Sequence, residues 1–172
     1  MPSEPVALDC EMVGLGPRGC RSAVARVAVV DQHGEVLLDR WVRPEEPVTD
    51  YRTTWSGVRA ADLRGAGVLG TEAARNQVAQ LLQGRLLVGH ALHFDLGALR
   101  LSHPPRSTRD TSKYQPLMQY SHTGCLKPRS LRKLAASELG LHIQEGEHSP
   151  VEDARAAMKL YLRHRAAWER SV

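Results

Sequence analysis

The chain is short of cysteine, of lysine and of long apolar runs, and each shortage removes a class of protein. Its three cysteines, Cys10, Cys20 and Cys125, are odd in number and show no C-x-x-C spacing. That pattern argues against a disulfide framework and reads as reduced thiols in an intracellular compartment. The apolar stretches are strand-sized, too short for a transmembrane helix, so no membrane role is expected. No basic and apolar secretory leader opens the chain. The first strand begins almost at once, so the segment is expected to be a trimmed or minimal domain, with any targeting signal in flanking chain. Lysine appears only as Lys113, Lys127, Lys133 and Lys159, and the basic charge is therefore nearly all arginine. Arginine suits bidentate phosphate contacts, although an Arg- and Ala-rich composition also follows from coding bias. The formal net charge of +4 and a pI of about 9.2 fit an anionic partner without demanding one.

What is present is enough for one globular domain with its own core: 172 residues, 42 % hydrophobic, with no internal repeat and no low-complexity tract. The domain is expected to fill 1–172, with its core at about 5–168. Val6 to Val13, Ala23 to Asp31 and Glu35 to Val42 read as three strands joined by short connections, an antiparallel meander. Residues 43 to 57 read as a loop, with a short helix following to Leu63. Thr71 to Gln83 has a helical stripe in Ala74, Val78, Leu81 and Leu82, and Gly84 is its stop. A short apolar strand at Leu86–Gly89, a helix at Leu92–Leu101 and a last strand at Thr108–Thr111 follow. Residues 112 to 128 hold Pro116, Gly124 and Pro128 and read as a mobile surface segment. Helices are expected from Ser130 to Leu139 and from Pro150 to Trp168. The last opens on Ser149-Pro150-Val151-Glu152, a capping box with proline at the first helical position. Its stripe runs through Val151, Ala154, Met158, Tyr161 and Leu162. Strands first, then alternating helices and strands, predict an α/β fold on a mixed central sheet flanked by helices.

The chemistry begins inside the first strand, where Asp9 and Glu11 interrupt an apolar run. Alternate residues of a strand share a face, so these two carboxylates sit side by side. Like charges with little hydration repel unless a cation separates them. Oxygen donors suit Mg²⁺ or Mn²⁺. A half-exposed edge strand with two solvated acids is the alternative. Two further acids are candidates to join them. Asp95 follows the Leu86–Gly89 strand in the first turns of a helix, and Asp153 lies in the first turn of the last helix. There a carboxylate is also favoured by the helix dipole alone, and Asp95 also reads as a solvated helix residue. His148 stands five residues ahead of Asp153, where it can lean over the helix N-terminus, and imidazole suits a general base near neutral pH. His90 and His93 lack a third ligand at zinc spacing.

Asp9-x-Glu11, Phe94-Asp95 and His148-x₄-Asp153 together resemble the three-part signature of the DEDDh class of 3′→5′ exonucleases. Leu8 to Pro17, Asp50-Tyr51-Arg52-Thr53 with Trp55-Ser56-Gly57, Val88-Gly89-His90 and Val151-Glu152-Asp153-Ala154 resemble the interferon-stimulated exonuclease and its nuclear relatives. His103 to Ser112 looks closest to the apoptosis-enhancing nuclease branch. Close relatives often carry Asn where Phe94 stands and Phe where Leu96 stands, and Pro150 replaces a residue that is commonly Ser.

The resemblance implies an RNase H-like fold and hydrolysis of phosphodiesters with two divalent cations, Mg²⁺ or Mn²⁺. Asp9, Glu11, Asp95 and Asp153 would hold the cations, and His148 would act as the base. It places Met12 and Arg52 around the 3′-terminal sugar, where a contact to the 2′-OH would favour RNA. Tyr51 and Trp55 are candidates to stack on bases. Core packing for Met12 and a surface salt bridge for Arg52 are the plainer alternatives. The implied activity is a 3′→5′ exonuclease on single-stranded RNA, and on DNA, releasing nucleoside 5′-monophosphates. A DNA-preferring repair or apoptotic nuclease, and a nucleic-acid-binding module without turnover, are the competing readings. Basic charge and these relatives imply the nucleus or nucleolus, with the cytoplasm as the other option.

Overall fold

The computed structural model describes residues 4–172. The elements in chain order are β1 (Pro5–Leu15), β2 (Arg21–Asp31), β3 (Val36–Arg43), β4 (Val48–Asp50), α1 (Thr53–Ser56) and β5 (Leu69–Gly70). There follow α2 (Thr71–Leu82), β6 (Leu86–Gly89), α3 (Leu92–Ala98), β7 (Thr108–Asp110), β8 (Gln119–Tyr120) and β9 (Leu126–Lys127). Helices α4 (Leu131–Leu134) and α5 (Pro150–Trp168) complete the chain.

The main sheet has the order β5-β3-β2-β1-β6-β7, with β4 also pairing β1. β1, β2 and β3 pair antiparallel as the short connections require, while β6 joins β1, and β7 joins β6, in parallel. Helices cover both faces, as parallel strands need. On one face Ala7, Ala28, Val30 and Val88 pack against α4 and α5 through Leu134, Ala154, Met158 and Tyr161. On the other, Val6, Leu8, Val27 and Val29 pack against Val78 and Leu82 of α2 and Leu92 of α3. Alternation along β1 thus sends Ala7 toward α5, and its flanking residues toward α2 and α3.

Several elements differ from the sequence expectation. The 43–57 loop contains β4, which adds to the edge of β1 at Gly14 and Leu15. The short helix there is α1, and it stops at Ser56 because Gly57 takes a left-handed conformation (φ 67°). Residues 57–63 are turns and do not continue it. The 112–128 segment, expected to be a mobile surface stretch, is structured. Leu117 is buried in the α5-side core, and β8 pairs with β9. The helix expected over 130–139 is α4 followed by a wider π turn at Ala135–Leu139, closed by Gly140 at φ 64°. The capping box before α5 does not form, since the Ser149 side chain caps nothing; Pro150, with its preset φ, still opens the helix.

Candidate active site

Asp9 and Glu11 continue the row of Ala7 along β1, on the side toward α5. Pairing with β6 ends at Ala7 and Val88. Beyond that point β1 runs on past β6, and the N–H of Cys10 donates to Oδ1 of Asp95 at 2.9 Å. A side chain from α3 thus takes the place a strand partner would have held. β1 also changes register against β2 between Glu11 and Met12, a bulge of the kind that re-aims side chains beside active sites.

The turn from β6 into α3 has little room. A Cβ on Gly89 would lie 2.3 Å from Cδ2 of Leu92 and 3.0 Å from the Leu8 carbonyl oxygen, so only glycine lets α3 approach β1 this closely. Asp110 on β7 then accepts from the N–H groups of Ala91 (2.8 Å) and Leu92 (3.1 Å), closing the start of α3. Asp153 comes from the first turn of α5. Its Oδ2 accepts from Nε2 of Gln144 at 2.7 Å, whereas its Oδ1 is buried without any partner.

Glu11, His148 and Asp153 each offer a ligand atom within 4.8 Å of the others. Asp9 and Asp95 lie outside that tightest group, but their charges reach it. Glu11 is pushed up to about 8, first by burial and then by the charge of Asp153, against the pull of Arg26. Asp9 is held well above the carboxylate range by burial and by Asp95, Asp153 and Glu11 together. Burial also raises Asp95 and Asp153, against the hydrogen bonds from Cys10 and Gln144. Burial and the neighbouring Arg132 lower His148, leaving the imidazole neutral near pH 7 and able to accept a proton.

Four crowded, desolvated acids are costly as bare anions, and the unpartnered lone pairs of Asp153 Oδ1 point to a missing cation. An oxygen-rich donor set suits a hard divalent ion, so the residues present fit the metal that the sequence implied.

Asp9, Glu11, Met12, Arg52 and Asp95 line one open depression of 290 Å³, which Trp55 and Phe94 also line. The structure therefore brings the acids from three distant segments together. Met12 and Arg52 lie where the resemblance put them. The Arg52 guanidinium is held by Ser22 Oγ and the Gly19 carbonyl, both at 2.9 Å. A larger cavity of 670 Å³ lies between α3 and the end of α5. Its single lining acid is Asp110, already committed to backbone N–H groups. Sequence reasoning did not assign Asp110, Gln144 or Phe94. Asp110 falls in the Arg109–Ser112 block that carried the resemblance; Gln144 stands in a loop with no pattern to mark it.

Buried acids gathered at the end of a mixed sheet, with a neutral imidazole beside them, define a divalent-metal hydrolase on an α/β fold. The family model described as Exonuclease, RNase T, matches residues 6–161, and the chain belongs to that family. It is 50 % identical over 171 residues to RNA exonuclease 4 of Cryptococcus neoformans, covering 99 % of this chain and 41 % of that protein. Against RNA exonuclease 4 of Homo sapiens it is 49 % identical over 164 residues, 95 % of this chain and 38 % of that protein. The chain thus spans about two fifths of the length of these relatives. Among solved structures, it resembles the Pan2 pseudoubiquitin hydrolase–RNA exonuclease module of Saccharomyces cerevisiae in complex with AAUUAA RNA. That match has a TM-score of 0.83 and 29 % identity, over 98 % of this chain and 30 % of the other. The Pan2 catalytic unit of Neurospora crassa matches with a TM-score of 0.82 and 26 % identity, over 99 % and 29 %. The fold is RNase H-like, as the sequence resemblance implied.

Proposed function

We propose that this chain is a metal-dependent 3′→5′ exonuclease that hydrolyses single-stranded RNA, with DNA as a second substrate, to nucleoside 5′-monophosphates. The observation that carries the reading is the convergence of Asp9, Glu11, Asp95 and Asp153 beside His148 at the open 290 Å³ depression. The names of the relatives and the RNA bound to the Pan2 module support RNA as the substrate class.

Two divalent cations, Mg²⁺ or Mn²⁺, held by the four acids would neutralise the phosphate and the leaving 3′ oxygen. His148, kept neutral, takes the proton of the attacking water. Gln144 holds Oδ2 of Asp153 and leaves Oδ1 free for a cation. Cys10 fixes Asp95 through its backbone N–H, so that carboxylate keeps its position when charge builds up. Met12 and Arg52 surround the terminal sugar, where contact with the 2′-OH favours RNA.

The Leu8–Pro17 and His103–Ser112 blocks support a finer placement, with the interferon-stimulated and apoptosis-enhancing nucleases. The relatives reported above bear the name RNA exonuclease 4, so that placement rests on those blocks alone. The basic charge supports a nuclear or nucleolar site of action.

The test is hydrolysis of a 5′-labelled strand by the wild-type protein, by Asp9→Asn, and with a chelator. A ladder shortening from the 3′ end with the wild type alone is the expected result. Degradation that persists in Asp9→Asn would sink the assignment. Matched RNA and DNA strands decide the substrate, and a strong preference for DNA would favour the repair-nuclease reading. Binding without turnover in the wild type would favour the non-catalytic one.

A further inference from the structure

The chain holds a single phenylalanine, and the fold does not bury it. Phe94 is 64 % exposed on α3, one residue before Asp95, and Trp55 on α1 is 65 % exposed. Large aromatic side chains normally supply much of a core's burial, so leaving both in water forfeits that gain. The two come from different helices, yet both line the depression that holds Asp9, Glu11, Met12 and Asp95.

Neither ring is loosely placed. Phe94 rests on the His93 imidazole with centroids 3.9 Å apart. Its helix is anchored by Asp110 and by the Asp95 contact to Cys10. The Trp55 carbonyl accepts from the N–H of His148 at 2.8 Å, which ties that segment to the base.

We propose that Phe94 and Trp55 form a stacking platform for the unpaired bases at the 3′ end of the strand, and so set the site's preference for single-stranded ends. The proposal deepens the exonuclease reading and rests on it. Aromatic faces accept any base, so the platform tolerates sequence. A base still paired to a second strand brings that strand with it and cannot lie flat between the rings and the acids. Asparagine, the residue the sequence comparison led us to expect at position 94, has no such face.

The test compares wild type, Phe94→Ala, Phe94→Trp and Trp55→Ala on a short single-stranded RNA, on the same RNA with an abasic 3′ end, and on a blunt duplex. Phe94→Ala should raise KM on the order of tenfold with kcat little changed, and Phe94→Trp should restore it. The abasic end should weaken the wild type far more than Phe94→Ala, because both changes remove the same contact. The wild type's margin for single strand over duplex should narrow in Phe94→Ala. An unchanged KM, or an abasic penalty equal in both proteins, would overturn the platform and leave the rings to another role, such as a protein contact.

Fluorescence anisotropy of the labelled strand, with and without the Phe94→Ala change in an Asp9→Asn background, separates this from the parent reading. If no protein hydrolyses RNA, the exonuclease reading fails. A roughly tenfold weaker binding with Phe94→Ala would still uphold the platform, and equal binding would overturn it. Circular dichroism of each variant checks that the fold is retained.

Discussion

The backbone N–H of His148 donates to the carbonyl of Trp55 at 2.8 Å, which fastens the loop bearing the imidazole to α1. One residue away on each strand of this clasp, Glu147 pairs with Arg59, whose guanidinium also reaches the Gly57 carbonyl. The base therefore takes its position from a segment far from it in the chain, on the far side of the acids.

Loosening that clasp should separate stability from catalysis. The Arg59–Glu147 pair is exposed and contributes little to folding. In Arg59→Ala the thermal midpoint should scarcely move, while kcat falls several-fold because His148 is less well placed. A variant with unchanged kcat and a marked loss of stability would show that the pair serves the fold instead.

Asp110 is expected to matter for both. Its carboxylate accepts from Ala91, Leu92, the Ser112 N–H and the Ser112 hydroxyl, at 2.7–3.1 Å, and it is buried. Asp110→Ala strands these donors, at about 2–4 kcal/mol of stability. With α3 freed, Asp95 shifts, and kcat/KM should drop on the order of a hundredfold. Denaturant melts and steady-state kinetics on one preparation measure both quantities.

The acid cluster predicts how the metal-free protein responds to pH. Glu11 is raised to about 8, first by burial and then by Asp153, and burial raises Asp9, Asp95 and Asp153 as well. Each binds its proton more tightly folded than unfolded, where carboxylates titrate near pH 4. Their stabilising effect is complete below that pH and is lost as pH rises toward 8. Acids whose values are lowered, such as Asp31 and Glu169, have the opposite sign but act below the ordinary carboxylate range. Melts in chelator should therefore show a thermal midpoint that falls between pH 5 and 8, with Mg²⁺ restoring it most at the alkaline end. A midpoint that climbs across this window would contradict the account.

At the other end of α5, Arg109 is buried and pairs with Glu169 through two hydrogen bonds of 2.8 and 2.7 Å, and Tyr161 donates its hydroxyl to the same carboxylate at 3.0 Å. Glu169→Ala leaves a buried guanidinium without its counter-charge and should cost about 3 kcal/mol. Since this lies away from the acids, kcat at permissive temperature should hold. Loss of activity in the folded variant would mean that the anchor also positions Asp153.

Much of the site was legible because its signals are local. A strand alternates faces every residue, so Asp9 and Glu11 had to share one. Pro150 and the apolar row from Val151 to Tyr161 marked α5 with the same bounds the structure shows. The Leu86–Gly89 strand was equally plain, being short, apolar and ended by glycine. Other features left no such trace. Gln144 takes a left-handed conformation in a loop (φ 56°), and its contact with Asp153 depends on where that loop crosses α5. The Ser149 capping box was a sound local pattern, but the hydroxyl makes no cap in the folded chain. Leu117 looked like part of a surface segment until packing drew it into the core.

The sequence by itself determined the alternation that pairs Asp9 with Glu11, the helix starts that carry Asp95 and Asp153, and the family to which these spacings point. Those follow from backbone periods and proline geometry, which act over a few residues. Only the tertiary structure decided that β1 outruns β6 so that Asp95 can take the Cys10 N–H, that Asp110 closes α3, and that Phe94 faces water. These depend on strand register and on which segments pack together, and that choice is made by burial over the whole chain.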